Sequence, residues 1–514
     1  MSKSAGGGRS GGLKEILRLR REKAERLAEA GWASFPNGFE VKHHVSDVRG
    51  AAGDPPPEAQ DGDPSFRLGG RLMAVRSMGK QAFMDLWDRT GRLQLQVRKD
   101  VVGEDVYAKA KQLDIGDIVV VEGPRFVTRR GELTLAVQDI TLATKSLHPL
   151  PDKHAGLTDV EQRYRQRYVD LATAMDVREI FEKRSRLIRF LRRFFDDRGF
   201  MEVETPMLHA LIGGAAAKPF VTHHNALDID LYCRIAPELH LKRLLVGGFE
   251  RVYEIGRNFR NEGLSTRHNP EFTMLEFYQA FATYEDLMDL TEEMFRGAAL
   301  EVTGSLKVPY GGWEDGEEPV IVDFDKPFAR IPVREGLRDK VPGLEVADPE
   351  AVRRAAAERG LHLKEDLPLG KLQMELFEHL WEKDLVQPTF VIDFPIEVSP
   401  LARRKPSDPT LTDRFELYMT GREIANAFSE LNDPDDQRQR FEAQMAAKVK
   451  GDDETMDYDE DYVHALEIGM PPAAGQGVGI DRLVMVLANQ PSIRDVILFP
   501  QMRPRPQTED DGSA

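Results

Sequence analysis

The sequence predicts an α+β protein in which a small β-barrel precedes a larger domain with an antiparallel sheet flanked by helices. Three observations support this prediction. Residues 66–143 contain five short runs of alternating apolar and polar side chains, divided by glycine-containing turns. Residues 177–198 carry apolar side chains at helical spacing. Residues 251–281 and 413–433 each have the pattern of a strand, a turn and a second strand.

The composition limits the classes of protein that the chain can represent. Its 514 residues are enough for several domains, and 41% hydrophobic content allows a large core. Lysine and arginine number 70 and aspartate and glutamate 87, giving a net charge of −17 that does not suggest nucleic-acid binding. Local basic patches decide such binding, however, so the total does not exclude it. With Cys233 as the one cysteine, no apolar leader and no membrane-length apolar run, we expect a cytoplasmic protein without a membrane partner.

The ends of the chain and one loop are predicted to be irregular. Residues 1–12 are rich in glycine and serine, and residues 507–514 are polar and acidic, so both are predicted to be disordered tails. Residues 54–65 are rich in proline and aspartate and are expected to form a surface insertion. Between them, residues 13–30 form a predicted helix with many basic side chains. A solvated helix with salt bridges and a helix that contacts RNA phosphates both fit that pattern.

The five alternating runs are typical of a small barrel such as an OB-fold. An aromatic side chain, Phe83, and polar strand residues including Arg76 and Gln94 could stack on and hydrogen-bond single-stranded bases. By itself, Phe83 fits a position in the barrel core equally well. We therefore assign residues 13–145 to the N-terminal helix and barrel, residues 146–176 to a linker and residues 177–506 to the second domain.

The second domain opens with a helix that Gly199 ends, followed by a predicted strand over residues 200–208 that includes Pro206. A loop of small residues then includes Gly214, where the backbone can approach a ligand closely. Glu238 follows Pro237 at a predicted helix start. There it could bind a ligand, or it could simply complement the helix dipole.

The hairpin of residues 251–281 carries an unusual set of side chains. Alternation predicts Arg260 and Glu262 on one face of the first strand. On the second strand it places Phe272, Glu276 and Tyr278 together, after a loop with His268 and Asn269. A solvated hairpin explains any one of these charges, but the whole set suits an anionic group, a flat ring and a cation.

The hairpin of residues 413–433 is predicted to turn near Thr420. If Met419 pairs with Arg422, then Glu416 and Glu423 share a face. Two carboxylates on one face repel each other unless a cation lies between them, and Mg²⁺ prefers such oxygen ligands. Two glutamates on a solvated sheet edge are the alternative.

Three further residues of this hairpin, Asn426, Phe428 and Glu430, lie at positions that alternate with that of Glu423 along the second strand. Simple alternation places them on the face opposite Glu423. Only a bulge or a strong twist would bring all five together, and the sequence does not reveal one.

Further elements are predicted between the two hairpins and near the C-terminus. Residues 284–301 form a predicted amphipathic helix, residues 304–326 are irregular, and residues 333–385 are mostly helical. Near the C-terminus, Gly477 and Gly479 precede an apolar helix headed by Arg482. A Gly-x-Gly before a helix is a weak signal by itself, but an arginine at the head of an apolar helix is informative.

These segments together carry a family resemblance. FRNE, the loop and RHNPEFTMLEFY resemble motif 2 of the class II aminoacyl-tRNA synthetases, in the form carried by lysyl-tRNA synthetases of the bacterial type. The helix, strand and proline of residues 177–208 resemble motif 1, and GQGVGIDR resembles motif 3. Residues 333–385 resemble the helical insertion of this family. The resemblance spans nearly the whole chain.

The resemblance implies activation of L-lysine by ATP and transfer of the lysyl group to tRNA(Lys). It implies catalytic roles for Arg260 and Arg482, a homodimer, and Mg²⁺ on Glu416 and Glu423, with up to three ions accompanying ATP. The implied ATP-binding residues are Arg260, Glu262, His268, Asn269, Phe272, Glu416, Glu423 and Arg482. The implied lysine-binding residues are Gly214, Glu238, Arg260, Glu276, Tyr278, Asn426, Phe428 and Glu430. The implied anticodon-binding residues are Phe83, Gln94 and Arg76.

Lysine also has a physical argument in its favour. Glu276, Tyr278 and Glu430 offer two carboxylates and a hydroxyl to an ammonium group, and a neutral side chain would leave that charge unpaired. A pocket for aspartate would need cations instead. Two alternatives remain at this point: a lysine ligase that modifies a protein, and a non-catalytic RNA-binding relative. The barrel argues against the first, and the presence of Arg260, Glu416, Glu423 and Arg482 argues against the second.

Overall fold

The computed structural model describes residues 7–60, 62–151, 157–215, 217–314, 316–365, 367–449 and 456–504. The chain divides into two compact units, Met1–Val177 and Arg178–Ala514. In the described part of the chain, no helix combines the length and the apolar character that crossing a membrane requires.

The first unit contains the predicted N-terminal helix and the barrel. Its helices are α1 Gly7–Glu29, α2 Val45–Gly50, α3 Lys99–Val102, α4 Glu104–Ala110, α5 Val160–Arg165 and α6 Arg167–Thr173. Its strands are β1 Ser65–Met78, β2 Gln81–Trp87, β3 Arg92–Arg98, β4 Ile118–Val127, β5 Leu133–Val137 and β6 Asp139–Thr144.

The barrel strands pair in the order β1-β2-β3-β5-β4-β6, and an additional pairing between β1 and β4 joins the two parts of the sheet. The last of the five predicted strands is divided at Gln138 into β5 and β6. Buried side chains such as Leu68, Met84, Leu95 and Val121 fill the interior. Alternation therefore predicted the barrel correctly, because each strand has one face toward this core.

Two predictions for this unit were wrong. The pattern over residues 66–143 is not purely strand, because α3 and α4 lie between β3 and β4; the second helix has Glu104 and Asp105 in its first turn, where they complement the helix dipole. Helix α1 begins at Gly7, so the predicted disorder fails for residues 7–12. Extending a formed helix adds one hydrogen bond per residue, which offsets the poor helix propensity of glycine. The rest of that predicted tail, and the one at residues 507–514, lie outside the described residues.

The second unit is larger. Its helices are α7 Met175–Asp196, α8 Glu238–Val246, α9 Tyr284–Thr303, α10 Val333–Lys340, α11 Pro349–Ala357, α12 Leu369–Trp381, α13 Pro434–Val449, α14 Glu460–Gly469, α15 Ile480–Leu487 and α16 Ile493–Val496. Its first strands are β7 Met201–Glu202, β8 Leu208–His209, β9 Val221–His224, β10 Ile229–Cys233, β11 Arg251–Phe259, β12 Glu271–Ala280, β13 Lys307–Tyr310, β14 Val320–Asp323 and β15 Ala329–Pro332. The later strands are β16 Thr389–Ile392, β17 Arg404–Lys405, β18 Asp408–Thr412, β19 Arg414–Met419, β20 Arg422–Ser429 and β21 Ala473–Gly479.

An eight-stranded sheet with the order β15-β16-β19-β20-β21-β12-β11-β7 forms the centre of this unit. The pairings from β16 to β11 are antiparallel, and only the edge strands β15 and β7 pair in parallel. Apolar side chains from α7, α9 and α15 pack with the sheet residues, among them Phe195, Phe277, Phe295 and Leu483. The predicted antiparallel sheet flanked by helices is confirmed.

Both predicted hairpins are present. One detail of the first hairpin and two predictions for other segments of this unit need correction. Strand β11 ends at Phe259, so Arg260 and Glu262 lie in the loop after it and do not share a strand face. Residues 304–326, predicted to be irregular, contain a hairpin of β13 and β14. The strand predicted over residues 200–208 is reduced to β7 and β8, because Pro206 lacks the N–H that a continuous ladder needs.

The second hairpin contains the bulge that alternation could not reveal. Met419 pairs with Arg422, and Thr420 (φ 53°) and Gly421 (φ 68°) form the turn between them. Tyr418 then pairs with Glu423, but Leu417 pairs with Ala425, so Ile424 is an extra residue. The extra residue reverses the parity of the following positions. As a result Glu416 lies opposite Asn426, and Arg414 lies opposite Phe428.

Candidate functional site

Strand β12 carries the centre of the candidate site. Glu276 pairs with Gly477, and Tyr278 pairs with Gly475, on the neighbouring strand β21. A Cβ atom at position 475 would lie 2.1 Å from a ring carbon of Tyr278 and 2.5 Å from Oε1 of Glu430. The side chains of Tyr278 and Glu430 therefore occupy the volume that a Cβ atom at position 475 would need, and glycine permits this close approach. We call the group formed by Gly475, Glu276, Tyr278 and Glu430 the carboxylate pocket.

The carboxylate pocket contains hydrogen-bond acceptors without donors. Glu276 is 5% exposed and Glu430 is 1% exposed. Burial raises the pKa of each carboxyl group above its ordinary range. Oε2 of Glu276 and Oε1 of Glu430 are buried and have no hydrogen-bond partner among the described residues. Such unpaired acceptors are costly in a folded protein, and they mark a place where a cationic donor would bind.

A second pair of predicted residues borders this pocket. Glu238, at the start of α8, is 6% exposed. Gly214 has φ +85°, and a Cβ atom there would lie 3.2 Å from the Cβ of Glu238. The small-residue loop and the helix start therefore approach each other closely, as expected for a shared binding role. Phe428 lies at the same place, with its ring centroid 5.1 Å from the ammonium of Lys242.

Arg260 lies beside the pocket in the loop that follows β11. Its Nε is buried and has no hydrogen-bond partner among the described residues, and its guanidinium lies 5.2 Å from the ring centroid of Phe272. Burial lowers the pKa of Arg260, while the carboxylates of Glu423, Glu262 and Glu276 act in the opposite direction. A buried guanidinium with an unused N–H is suited to an anionic ligand.

Arg482, in the first turn of α15, connects two of the predicted segments. It donates to the backbone oxygen of Glu423 at 2.7 Å and to Oε2 of Glu423 at 3.1 Å. Its other terminal nitrogen lies 3.3 Å from Nε2 of His268. Burial and the charge of Arg482 lower the pKa of His268. The structure thus brings the two hairpins and the glycine-rich strand together at one site.

Asn269 is held by hydrogen bonds within the protein. It is 7% exposed, its amide donates to the backbone oxygen of Glu271 at 2.5 Å, and its Oδ1 accepts from the backbone N–H of Gln501 at 3.2 Å. Both polar atoms of the Asn269 side chain are therefore engaged in holding the loop. Glu262, by contrast, is exposed.

The bulge places Asn426 on the face that already carries the two predicted metal ligands, Glu416 and Glu423. Glu416 accepts hydrogen bonds from Arg414 at 2.6 Å and from the Tyr418 hydroxyl at 2.9 Å. Burial raises the pKa of Glu416, and the nearby Glu423 carboxylate raises it further. Arg414 also donates to Oδ1 of Asn426 at 3.1 Å. Glu416, Glu423 and Asn426 therefore share one face, in contrast to the simple alternation of the sequence.

Sequence reasoning missed two charged side chains that contact the predicted carboxylates, Arg414 and Lys242. Arg414 has the same strand parity as Glu416, and Lys242 follows Glu238 by one helical turn. Both spacings could have suggested an ion pair with the predicted carboxylate. Among the described residues, no group of three or more His, Cys, Asp or Glu side chains is placed to hold a metal ion. A pair of carboxylates is still sufficient for Mg²⁺ that also keeps phosphate and water ligands.

The barrel brings its predicted residues onto one face. Arg76 pairs with Phe83, and Gln94 pairs with Asp85, the next residue of the same parity. Phe83 is half-buried and does not belong to the core. Gln94 donates to Thr134 Oγ1 at 2.9 Å, and Arg76 contacts Asp85 at 3.4 Å. A half-exposed ring among amide and guanidinium groups is the arrangement that stacks on bases.

Comparisons with known proteins agree with both units. Residues 159–503 match the family of tRNA synthetases class II (D, K and N), and residues 66–143 match the OB-fold nucleic acid binding domain. The chain is a class II tRNA synthetase with an N-terminal OB-fold, as the fold and the site predict.

Relatives define the subgroup. A lysine–tRNA ligase of Thioalkalivibrio sulfidiphilus is 53% identical over 495 residues, covering 95% of this chain and 97% of the relative. One from Azoarcus sp. (strain BH72) is 54% identical, with 95% and 97% covered. One from Moorella thermoacetica is 53% identical, with 96% and 98% covered. Within its class the chain belongs to the lysine–tRNA ligase family.

Proposed function

We propose that the chain activates L-lysine with ATP and transfers the lysyl group to the 3′ end of tRNA(Lys). The observation that supports lysine most directly is the carboxylate pocket, where Glu276 and Glu430 each have a buried oxygen without a donor. An ammonium group supplies up to three donors and a positive charge, so it satisfies both oxygens at once. A neutral side chain would leave both acceptors unpaired and would be rejected strongly.

In this proposal the two ends of lysine have different partners. Glu276, Tyr278 and Glu430 bind the ε-ammonium. Gly214 and Glu238 hold the α-ammonium, where the loop and the helix start meet. Arg260 binds the α-carboxylate through its unused N–H, while Asn426 and Phe428 line the site. The lysine carboxylate is then held near the guanidinium that also binds the α-phosphate of ATP.

The activation step joins two anions, so it needs charge neutralisation and alignment more than a protein nucleophile. The lysine carboxylate oxygen attacks the α-phosphorus, the bond to the bridging oxygen breaks, and pyrophosphate leaves. Arg260 stabilises the charge on the α-phosphate, while Phe272 and Arg482 sandwich the adenine ring. Glu262 recognises the adenine amino group. His268 and Asn269 lie by the β- and γ-phosphates.

Mg²⁺ fits the carboxylates available. Glu416 and Glu423 lie on one face of the hairpin, and each raises the energetic cost of the other's charge. They would hold Mg²⁺ together with the phosphates of ATP, with up to three ions in the family pattern. When bound, the ion would neutralise phosphate charge. Arg414 and Tyr418 position Glu416 through the two hydrogen bonds described above.

In the second step the 3′-terminal hydroxyl of tRNA attacks the lysyl carbonyl, and AMP leaves. We propose that residues 13–145 form the anticodon-binding domain and that residues 177–506 form the catalytic domain. Phe83 stacks on an anticodon base, Gln94 pairs with it, and Arg76 adds a further contact. The protein-modifying and non-catalytic alternatives receive no support, because the relatives span both units.

We further propose a cytoplasmic homodimer. The segment that resembles motif 1 carries large apolar side chains that are about half exposed: Met201 (48%), Met207 (45%) and Leu208 (49%). Exposed apolar groups at this density are typical of a protein interface. Sedimentation velocity should give twice the chain mass, and a Leu208→Asp variant should shift it toward the monomer.

The first experiment is ATP–pyrophosphate exchange with each of the twenty amino acids, with and without Mg²⁺. We expect exchange with lysine alone, and only when Mg²⁺ is present. Exchange with aspartate or asparagine would contradict the assignment of Glu276 and Glu430 while keeping the class. No exchange with any amino acid would contradict the proposed function.

A further inference from the structure

Lys242 is an ion-paired lysine inside the candidate lysine site. Its side chain is fully buried, and its Nζ lies 2.6 Å from Oε1 of Glu238. The same ammonium forms an ion pair with Oε2 of Glu430. It therefore connects the carboxylate proposed for the α-ammonium with one proposed for the ε-ammonium. Neither the reaction nor the binding roles above use this residue.

The charge of this lysine is maintained by its neighbours. Burial alone lowers the pKa of Lys242, but the carboxylates of Glu238 and Glu430 raise it well above its ordinary value. Lys242 therefore stays cationic at neutral pH. Among the described residues, the other titratable or charged groups that interact with this cluster include Glu276, Tyr278, Tyr462, Arg243 and the ion pair of Arg234 with Glu254.

We propose that Lys242 is a positioning residue that sets the charge of the lysine site so that the two ammonium groups of the substrate neutralise it. This inference rests on the proposed function. Three buried carboxylates (Glu238, Glu276 and Glu430) carry one negative charge more than the substrate ammonium groups can balance. Lys242 supplies the missing positive charge, and Arg260 balances the substrate carboxylate.

The contacts distinguish this role from that of a temporary occupant. Lys242 contacts Oε2 of Glu430, while Oε1 of the same carboxylate has no hydrogen-bond partner among the described residues and lies close to Gly475. Oε2 of Glu276 is also without a partner. The internal ammonium and the substrate ammonium can therefore bind Glu430 at the same time, through different oxygens. An occupant that merely held the pocket until lysine arrived would cover the free oxygens.

The test is the Lys242→Met variant, which keeps the length of the side chain and removes its charge. Without the cation, Glu430 retains a proton to higher pH, because the pKa of a buried carboxyl rises when its counter-ion is lost. We expect KM for lysine in ATP–pyrophosphate exchange to rise roughly tenfold or more at pH 7, with a smaller change in kcat. The rise of kcat/KM for lysine with pH, between about pH 6 and about pH 9, should therefore occur at higher pH in the variant than in the wild type.

Lys145→Met is the matched control, since Lys145 is also fully buried between two carboxylates but belongs to the barrel unit. It should leave KM for lysine and its pH profile unchanged.

Lys242→Gln, which is neutral but can donate hydrogen bonds, tests the charge if the methionine variant does not fold, and should show the same displaced profile. A lower KM in either Lys242 variant would mean that Lys242 competes with the substrate, and an unchanged profile would mean that it is structural; both results would overturn the proposal. An inactive wild type would refute the proposed function instead.

Discussion

The two units each contain a fully buried lysine between carboxylates, but only one of the two clusters is complete. In the barrel, Lys145 lies 2.7 Å from Asp114 and 2.9 Å from both oxygens of Asp117. Backbone N–H groups of Ser146 and Asp114 also donate to Asp117, each at 2.8 Å. In the second unit, the cluster around Lys242 leaves oxygens of Glu430 and Glu276 without donors.

The difference separates a structural cluster from a binding site. Both clusters require charged groups to be removed from water, which is costly unless every charge is paired. In the barrel the pairing is internal, so the cluster stabilises the fold. In the second unit part of the pairing is missing, and in the proposed function the ammonium group of lysine completes it. A fully buried lysine between carboxylates is common to the two clusters, so the number of unpaired oxygens is the informative quantity.

Removing the charge of Lys145 is the most direct test of the comparison between the two clusters. Lys145→Met leaves Asp117 buried without its cation, while Asp114 keeps its ion pair with Lys23. Losing one partner of a buried pair costs about 3–5 kcal/mol of stability. We expect a lower free energy of unfolding for the barrel unit in urea, followed by tryptophan fluorescence and circular dichroism. ATP–pyrophosphate exchange by the folded variant should keep the wild-type KM for lysine. A large change in that KM would contradict the separation of the two clusters.

This barrel cluster also has a pH signature. Burial raises the pKa of Asp114, but Lys145 and Lys23 lower it more, so the folded-state pKa lies below the ordinary value. The stabilisation is therefore present above the unfolded-state pKa, about 4, and is lost as the pH falls through the folded-state value. The wild type should lose stability in acid below about pH 4, and Lys145→Met should show less of this loss.

Two buried arginines allow the same comparison. Arg260 has an unused Nε, whereas Arg125 in the barrel donates to the backbone oxygens of Val48, Ala51 and Gly53 at 2.9, 2.9 and 2.6 Å. Arg260→Gln should lower kcat for exchange by about 10²–10³-fold, the usual effect of removing one donor to the charge of a transition state. Arg125→Gln should lower the melting temperature and leave kcat unchanged. Equal effects on kcat would mean that the unused N–H has no functional meaning.

Glu276→Gln sharpens the comparison within the pocket. Burial raises the folded-state pKa of Glu276, so its stabilisation is complete below the unfolded-state pKa and is lost as the pH rises toward the folded-state value. At neutral pH the ligand-free wild type therefore bears a cost that the amide removes. We expect the variant to melt at a higher temperature without lysine, and KM for lysine to rise roughly 10–100-fold. Lysine should raise the melting temperature of the wild type more than that of the variant.

The sequence predicted the fold where one simple period applied. The barrel strands and the two hairpins follow alternation, because one face of each strand packs on a core. Alternation failed at Ile424, since a bulge is a backbone event that an isoleucine does not signal. It also failed at Arg260, because the strand ends at Phe259, before both Arg260 and Glu262.

The sequence predicted which residues belong to the candidate site, but not which of their side chains contact each other. Glu238 was noted at a predicted helix start and Glu276 in the unusual set of the first hairpin, and the family resemblance gave them and Glu430 roles that remain predictions. The contact between Lys242 and two of them depends on how α8 packs beside the end of β20, which no local pattern contains. The same is true of Arg414, whose partners come from three segments.

The barrel has an incomplete surface of its own, and it provides the prediction with the smallest expected effect. Phe83 is half-buried on the face that also carries Arg76 and Gln94, so its ring is available for stacking. Stacking of one base on an aromatic ring contributes about 1–3 kcal/mol, and the partial burial of Phe83 favours the lower part of that range. Phe83→Ala should therefore raise KM for tRNA(Lys) in aminoacylation about tenfold. Exchange with lysine, which needs no tRNA, should be unchanged. Met84→Ala, at the neighbouring position that faces the core, is the control: it should destabilise the barrel, whereas Phe83→Ala should leave the melting temperature nearly unchanged. If Phe83→Ala instead destabilised the barrel as much as Met84→Ala, Phe83 would be a core residue, and the anticodon contact would have to lie elsewhere on the barrel.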